Sequence, residues 1–181
     1  GSALGVSLAV RGWVTSTGEW QRQELRDADP QLAQTLRRRL RLPVFAVNAV
    51  DAMTVADLRD SPSGLAAQAT LVLEDRIGMG LTIGGRLRVG LNRPVGDISH
   101  VVPGTPGPPC AICGHCCLQE QVLPLRLDTS PSACATAAAA LGGLLAPIAG
   151  AVELEEIVLA RFPDQISAEL AGLLHGELVK R

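Results

Sequence analysis

The chain has 181 residues, of which 47% are hydrophobic, and a formal net charge of -2 at pH 7. This length and composition predict a globular protein with a substantial core. The near-neutral charge excludes a general electrostatic attraction to nucleic acid backbones. The local basic run Arg37, Arg38, Arg39 and Arg41 is typical of a solvated helix face.

The first third of the chain alternates between strand and helix patterns. Strands are predicted over residues 4–10, 13–16 and 44–48, and helices from Asp29-Pro30 to Leu40 and over residues 51–59. Asn48 lies at the carboxyl end of an apolar strand. In open α/β sheets, ligands bind at strand ends of this kind.

The same alternation continues to the carboxyl terminus. We expect strands over residues 71–73, 80–83, 86–89 and 156–159, a turn at Gly84-Gly85, and helices that begin at Ser130-Pro131 and Pro163. The inner side of the last helix is expected to carry Ile166, Leu170, Leu173 and Leu174. Strands and helices without a fixed repeat predict an α/β protein.

One uncharged run, residues 133–152, is as long as a membrane span. It consists mostly of Ala and Gly and contains Pro147, and such residues supply little free energy for insertion. We therefore expect a buried helix that packs through small residues, and no membrane association. The opening residues lack the pattern of a secretory leader, which predicts a cytoplasmic location.

Four of the five cysteines and two of the three histidines lie between His100 and Glu120. His100, Cys110, Cys113 and Cys117 supply one imidazole and three thiolates, which is the donor set of a closed structural zinc site. His115 and Cys116 are alternative ligands in the same segment.

Two other interpretations of this segment remain open. Cys110, Cys113 and Cys116 have the spacing of part of an iron–sulfur motif, although the next cysteine is adjacent and the expected proline is missing. Free or redox-active thiols are the other alternative. Cys134 stands apart and is expected to be a small buried residue.

Four segments carry a resemblance to a known family: PVFAVNAVDAMTVAD, IGMGLTIGGRLRVG, VGDISH and CAICGHCCLQ. In this order they resemble the ROK family, which groups bacterial sugar kinases with sugar-responsive transcriptional repressors. The resemblance spans about residues 4–159. It implies an α/β fold of the actin-like ATPase (ribonuclease H-like) type, truncated at the N-terminus. Residues 3–48 would be the remainder of the smaller lobe, and residues 49–181 the larger lobe, with a zinc-binding loop at 100–117.

The resemblance also implies the metal ligands. His100, Cys110 and Cys117 match zinc ligands of the family with their spacing preserved. The middle cysteine of the family matches Ile112, and Cys113 lies one residue later. A small shift of the loop would let Cys113 complete the site, because zinc fixes ligand distances but tolerates different loop paths.

The implied sugar contacts are Asn48, Asp97, His100 and Gln119. Asn48 is retained from the family, whereas Asp97 and Gln119 replace family glutamates, the first with a shorter side chain and the second without charge. Asn48 and Asp97 can alternatively serve as local caps for backbone groups. His100 would contact both the metal and the sugar.

The residues that depart from the family concern catalysis. The family's catalytic aspartate matches Ala49, and a methyl group accepts no proton. We expect Asp51 to point elsewhere on the following helix. At the phosphate loop the chain has Glu74, Asp75 and Arg76, whose carboxylates would repel a nucleotide. A glycine pair of the family is Ala160-Arg161 here, and its N-terminal phosphate hairpin has no counterpart in this sequence.

These features favour a non-catalytic sugar-binding domain of a ROK-type transcriptional regulator, commonly a homodimer in this family. DNA would be bound only through a helix-turn-helix that this chain does not contain. The alternatives are an ATP-dependent sugar kinase and an interaction scaffold that has lost sugar binding.

Overall fold

The computed structural model describes residues 3–14, 20–21, 31–60, 67–90 and 95–180. Its amino-terminal part contains a parallel pair of strands, β1 (Val6–Val10) and β4 (Val44–Asn48), in which Val10 is paired with Asn48. Two short antiparallel strands, β2 (Trp13–Val14) and β3 (Trp20–Gln21), follow β1. The parallel pairing brings the carboxyl ends of β1 and β4 to the same edge.

Helix α1 (Leu32–Leu40) connects the two halves of the parallel pair. The predicted start of this helix at Asp29-Pro30 lies outside the described residues. All four arginines of the basic run are exposed, as expected. One of them, Arg37, also donates a hydrogen bond from Nε to the Val44 carbonyl at 2.6 Å, which attaches the helix to β4.

A four-stranded sheet forms the centre of the molecule, in the order β7 (Arg86–Leu87), β6 (Ile77–Ile83), β5 (Ala67–Leu73) and β8 (Leu154–Ala160). β5 is buried over its whole length, because β6 pairs with it antiparallel and β8 parallel. Gly84 and Gly85 form the predicted turn between β6 and β7, with φ of 59° and 69°. A positive φ at both positions is the geometry that favours glycine in two-residue hairpins.

One face of the sheet packs against the carboxyl-terminal helices. These are α3 (Leu118–Val122), which continues into a 3-10 turn (Leu123–Arg126), α4 (Pro131–Val152) and α5 (Asp164–Val179). Ala69, Leu71 and Leu73 of β5 belong to the same buried cluster as Leu141 of α4 and Leu170 of α5.

Helix α4 begins as predicted. Ser130 precedes it and accepts a hydrogen bond at Oγ from the Ala133 N–H, and Pro131 is its first residue. Cys134 is fully buried, also as predicted. By length and composition α4 could cross a membrane, the one such helix in the part of the chain that is described, but core helices pass the same test and α4 contacts α3, α5 and β8.

Helix α2 (Ala49–Asp60) covers the opposite face of the sheet. Gly80 is required there, because a Cβ would overlap the side chain of Thr54. Thr70 of β5 donates a hydrogen bond to Asp57 at 3.1 Å. Helix α2 begins at Ala49 and not at Asp51, so its first turn follows Asn48 directly.

Candidate ligand pocket and metal centre

A small pocket opens where β1, β2 and β4 end. It encloses about 290 Å³ including its mouth, and its walls consist of Trp13, Val14, Asn48, Asp51, Arg88, Val89, Gly90 and Val95. Most of this space is open to solvent, and the enclosed part is only about 20 Å³, so the site is a small cleft with mixed polar and apolar walls.

Asn48 occupies a structural position in this pocket. Its Oδ1 accepts hydrogen bonds from the backbone N–H groups of Val50, at 2.8 Å, and Asp51, at 3.2 Å. Its Nδ2 donates to the Gly12 carbonyl at 2.6 Å. Asn48 therefore caps helix α2 and attaches it to the segment after β1, and one Nδ2 hydrogen remains for a ligand.

Asp51 lies in the same pocket, so the prediction that it points elsewhere on the helix is wrong. Because α2 begins at Ala49, Asp51 falls in the first turn and stays beside Asn48. Burial raises the pKa of Asp51 from its ordinary value of 3.8 to about 6. A carboxylate with this pKa can accept a proton near neutral pH.

The other predicted sugar contacts do not line this pocket, whose wall nearest to them in sequence is Val95. Asp97 is exposed and accepts a hydrogen bond from the Ser99 hydroxyl at 2.8 Å. Gln119 is 8% exposed, its backbone N–H donates to the Ser99 carbonyl, and its buried Oε1 has no hydrogen-bond partner within the described part of the chain. The structure thus places Asp97 and Gln119 around Ser99, next to His100, and apart from the pocket walls.

His100, Cys110, Cys113 and Cys117 form a cluster in which one ligand atom from each residue lies within 4.8 Å of all the others. The Nδ1 of His100 is 3.8 Å from the Sγ of Cys110. A tetrahedral zinc ion, with Zn–S bonds of about 2.3 Å, separates its ligand atoms by about 3.8 Å. The cluster can therefore hold a metal ion, and its donor set fits zinc.

The turn at residues 110–114 places Cys113 in this cluster, while Ile112 is 67% exposed. Gly114 has a φ of 73° and its N–H donates to the Cys110 carbonyl at 2.8 Å, which closes the turn. Cys116 is outside the cluster, and its Sγ donates to the Gly107 carbonyl at 2.8 Å. This arrangement differs from the iron–sulfur alternative, which required Cys116.

The surroundings of Cys110 and Cys117 shift the pKa values of the two thiols in opposite directions. Backbone N–H groups of Cys113 and Ile112 lower the pKa of Cys110, because they stabilise its thiolate. Burial raises the pKa of Cys117 to about 11. A bound cation would displace the Cys117 proton, since metals bind the thiolate form.

Gln121 anchors the Pro- and Gly-rich loop that carries the cluster. Its Oε1 accepts a hydrogen bond from the Thr105 hydroxyl at 2.7 Å, and its Nε2 donates to the carbonyls of Thr105 and Cys116. The side chain is almost fully buried. One amide therefore joins the start of the loop to its end.

A second polar cluster occupies the turn between β5 and β6. Arg11 forms ion pairs with Glu74 at 2.9 Å and Asp75 at 3.2 Å, and Arg161 lies 4.0 Å from Glu74. Arg161 has a φ of 62°, a left-handed conformation that favours glycine. Arg11 and Arg161 thus lie beside the two carboxylates that were expected to repel a nucleotide, and that repulsion stays a prediction.

The sequence model of the ROK family matches residues 1–123 of the chain. The chain belongs to the ROK family. No curated protein matches it by sequence. The first 123 residues include all four metal-cluster residues and every residue of the pocket.

Solved ROK structures have the same fold. A ROK family transcriptional regulator, a homologue of the E. coli MLC protein, is 18% identical with a TM-score of 0.78, covering 97% of this chain and 54% of that one. ROK hexokinase from Thermus thermophilus is 22% identical with a TM-score of 0.70, covering 97% and 68%. A ROK glucokinase from Streptomyces griseus, in complex with glucose and AMPPNP, is 17% identical with a TM-score of 0.67, covering 99% and 70%.

These neighbours establish the actin-like ATPase type of α/β fold that was expected. The chain spans about half the length of the regulator and about two thirds of the hexokinase. The family includes transcriptional regulators and sugar kinases, so membership alone does not choose between them.

Proposed function

We propose that this chain is a sugar-binding domain of a ROK-type transcriptional regulator, which responds to the sugar without phosphorylating it. The observation that carries the proposal is the ion-paired cluster of Arg11, Glu74, Asp75 and Arg161. It occupies the segments that in the resembling kinases approach the nucleotide phosphates with glycine and other small residues. A phosphate group entering here would have to displace carboxylates from their arginines.

Position 49 supports the same proposal. The resemblance places the catalytic base of the kinases at this residue, which is Ala49 here and begins helix α2. Loss of a general base typically lowers the rate by about 10²- to 10⁴-fold. The pocket beside it keeps Asn48 as the structural cap, so the site can persist without the catalytic group.

In this proposal zinc is a structural ion held by His100, Cys110, Cys113 and Cys117. It would fix the loop that leads into helix α3, and with it the position of Gln119. The metal would take one ring nitrogen of His100, and the other would be free for a sugar hydroxyl. Asp97, His100 and Gln119 would reach the sugar from the side of the metal loop, and Asn48 from the side of helix α2.

The division into a smaller lobe at residues 3–48 and a larger lobe at 49–181 fits this proposal, because the pocket lies where the two segments meet. A homodimer, DNA contact through a helix-turn-helix elsewhere in the protein, and a cytoplasmic location stay predictions.

One observation favours the sugar kinase as a second candidate. Asp51 lies in the pocket with a pKa raised to about 6, so its carboxylate can serve as a general base in place of position 49. The two candidates therefore differ in whether Asp51 only contacts the sugar or also removes a proton from it.

The experiment uses glucose, N-acetylglucosamine and mannose with the whole chain. Thermal denaturation measures binding, since a ligand that binds only the folded state raises the melting temperature. A coupled assay with ATP measures phosphorylation, with Asp51→Asn as the matched variant. A higher melting temperature without turnover supports the sugar-binding domain. Turnover that disappears in Asp51→Asn supports the kinase, and no effect of any sugar supports an interaction scaffold.

A further inference from the structure

The pocket has too little enclosed room for a sugar in the conformation that the structure shows. Its enclosed part is about 20 Å³, which is space for about one water molecule. Pockets that bind small molecules enclose roughly 300 Å³ or more. One wall of the pocket is formed by residues 11–14, which carry Trp13 and Val14. A sugar can enter if this wall moves, so the contacts that hold residues 11–14 determine access.

Arg11 joins this wall to the four-stranded sheet. Its guanidinium group forms ion pairs with Glu74 at 2.9 Å and Asp75 at 3.2 Å, in the turn between β5 and β6. The turn follows the buried strand β5 directly and is closed by a hydrogen bond from the Glu74 N–H to the Arg76 carbonyl. The Arg11 carbonyl accepts a hydrogen bond from the indole N–H of Trp20 at 2.5 Å, which attaches strand β3 to the same residue.

The ion pairs of Arg11 are accessible to solvent and therefore reversible. The side chains of Arg11 and Asp75 are 51% and 48% exposed, and exposed pairs of this kind shift an equilibrium by up to about fivefold each. Arg161 lies 4.0 Å from Glu74. Glu74 would keep this cation beside it if Arg11 moved away, while Asp75 would be hydrated. Release of Arg11 thus leaves no isolated buried charge.

The observed position of the wall carries a cost that the ion pairs offset. The indole N–H of Trp13 is buried and has no hydrogen-bond partner among the described residues. A buried donor without a partner is unfavourable, because it has lost its hydrogen bonds to water. Movement of residues 11–14 away from the pocket would expose this N–H to water or to a sugar hydroxyl. Two positions of the wall are therefore close in free energy.

We propose that Arg11 is a positioning residue for the pocket. Its ion pairs with Glu74 and Asp75 hold residues 11–14 in the closed position, and their release moves Trp13 outward and admits a sugar. The inference rests on the proposed function and adds the step that opens the same site. The charged residues that replace the family's glycine and small residues at the phosphate segments then have a role of their own, which is to control access to the pocket.

The test follows the opening by hydrogen exchange in the whole chain. The chain has two tryptophans, so NMR can follow their indole N–H signals separately, with Trp20→Phe to assign them. The Trp20 N–H is bonded to the Arg11 carbonyl, so its exchange rate reports how often this contact opens. In the wild type the rate should rise with added NaCl, which screens exposed ion pairs. In Arg11→Gln it should be about two- to fivefold higher at low salt and no longer respond to salt.

Two variants serve as controls. Arg11→Lys keeps the charge without the planar fork that reaches both carboxylates, so its rate should lie between the other two and should still respond to salt. Arg86→Gln removes an exposed arginine that is outside the ion-paired cluster, and its rate should equal that of the wild type. Melting temperatures verify that the unliganded variants fold, and the salt series on the wild type requires no variant.

Sugar binding connects the opening to the pocket. Glucose, N-acetylglucosamine and mannose are titrated into the wild type and Arg11→Gln by calorimetry. A sugar that binds only the open position should bind Arg11→Gln more tightly by the same factor as the exchange rate rises. Exchange that ignores both salt and Arg11→Gln would overturn the role of Arg11, as would faster exchange with unchanged affinity for a sugar that binds. Faster exchange in a chain that binds none of the sugars would support the opening and contradict the proposed function.

Discussion

The backbone N–H of Asp51 donates a hydrogen bond to the Asn48 side-chain oxygen at 3.2 Å, and both residues line the same pocket. This bond joins the end of strand β4 to the first turn of helix α2. It fixes the direction in which the helix leaves the sheet, and so it sets where the Asp51 carboxylate lies. Asn48 thus has a structural role whether or not it also contacts a sugar.

Asn48→Ala should lower the free energy of unfolding by about 1–2 kcal/mol, because the helix loses its amino-terminal cap and the segment at Gly12 loses a hydrogen bond. Urea denaturation of the unliganded chain measures this. Asn48→Asp is the control, since it retains the capping oxygen and loses only the donor to Gly12, and it should be affected less. Equal stability of Asn48→Ala and the wild type would show that the cap contributes nothing.

The raised pKa of Asp51 makes the stability of the chain depend on pH. Below pH 3.8 the carboxyl group is protonated in both the folded and the unfolded state. As pH rises from there through about 6, the unfolded state releases its proton first, so stability falls, and it remains lower above this range.

Asp51→Asn removes this titration. The free energy of unfolding of the variant minus that of the wild type should therefore be more positive at pH 7.5 than at pH 4. Urea denaturation of both proteins at the two pH values measures the difference. A variant effect of the same size at both pH values would mean that burial does not shift this carboxyl group.

Local sequence patterns predicted much of the fold because they act over a few residues. Strand β4 was predicted with its observed bounds, and Gly84-Gly85 and Ser130-Pro131 form the expected turn and helix start. Leu173 was placed on the inner side of α5 but is 38% exposed. Helical spacing predicts which face of a helix is apolar, but it does not predict how much of that face the rest of the protein covers.

The pocket was predicted only in part, because its residues come from distant segments. The parallel pairing of β1 with β4 and the packing of α2 on the sheet bring together Trp13, Asp51 and Arg88. Neither contact produces a characteristic spacing of residues in the sequence. Asp51 was misplaced because the predicted helix began two residues too late. The metal cluster was predicted from spacing, since three of its four residues lie within eight positions on one loop.

The cysteine cluster predicts about one zinc ion per chain by elemental analysis, held by thiolates of Cys110, Cys113 and Cys117. Cys117→Ser and Cys113→Ser should each lose most of the zinc and unfold at a lower temperature, because the metal contributes to folding of the loop. Cys116→Ser is the matched control, since its Sγ is bonded to the Gly107 carbonyl, and it should retain the metal. Zinc that is lost from Cys116→Ser and kept by Cys113→Ser would assign the third thiolate to Cys116.

Gly96 positions the segment that leads to Asp97, and its backbone carbonyl accepts a hydrogen bond from the Met79 N–H at 2.9 Å. Its φ is 83°, and a Cβ at this residue would overlap the Met79 carbonyl oxygen. Gly96→Ala should therefore lower the free energy of unfolding by more than about 3 kcal/mol, since it combines backbone strain with a steric clash against the backbone of β6.

Gly84→Ala is the matched comparison, because Gly84 has a φ of 59° but no atom lies within 4 Å of the added Cβ. Its cost should be limited to the left-handed backbone conformation, about 1–2 kcal/mol. Urea denaturation of the two variants separates the two contributions. Equal losses would mean that the strand β6 backbone moves to accommodate a side chain at position 96, and that the approach of Gly96 to Met79 does not hold Asp97 in place.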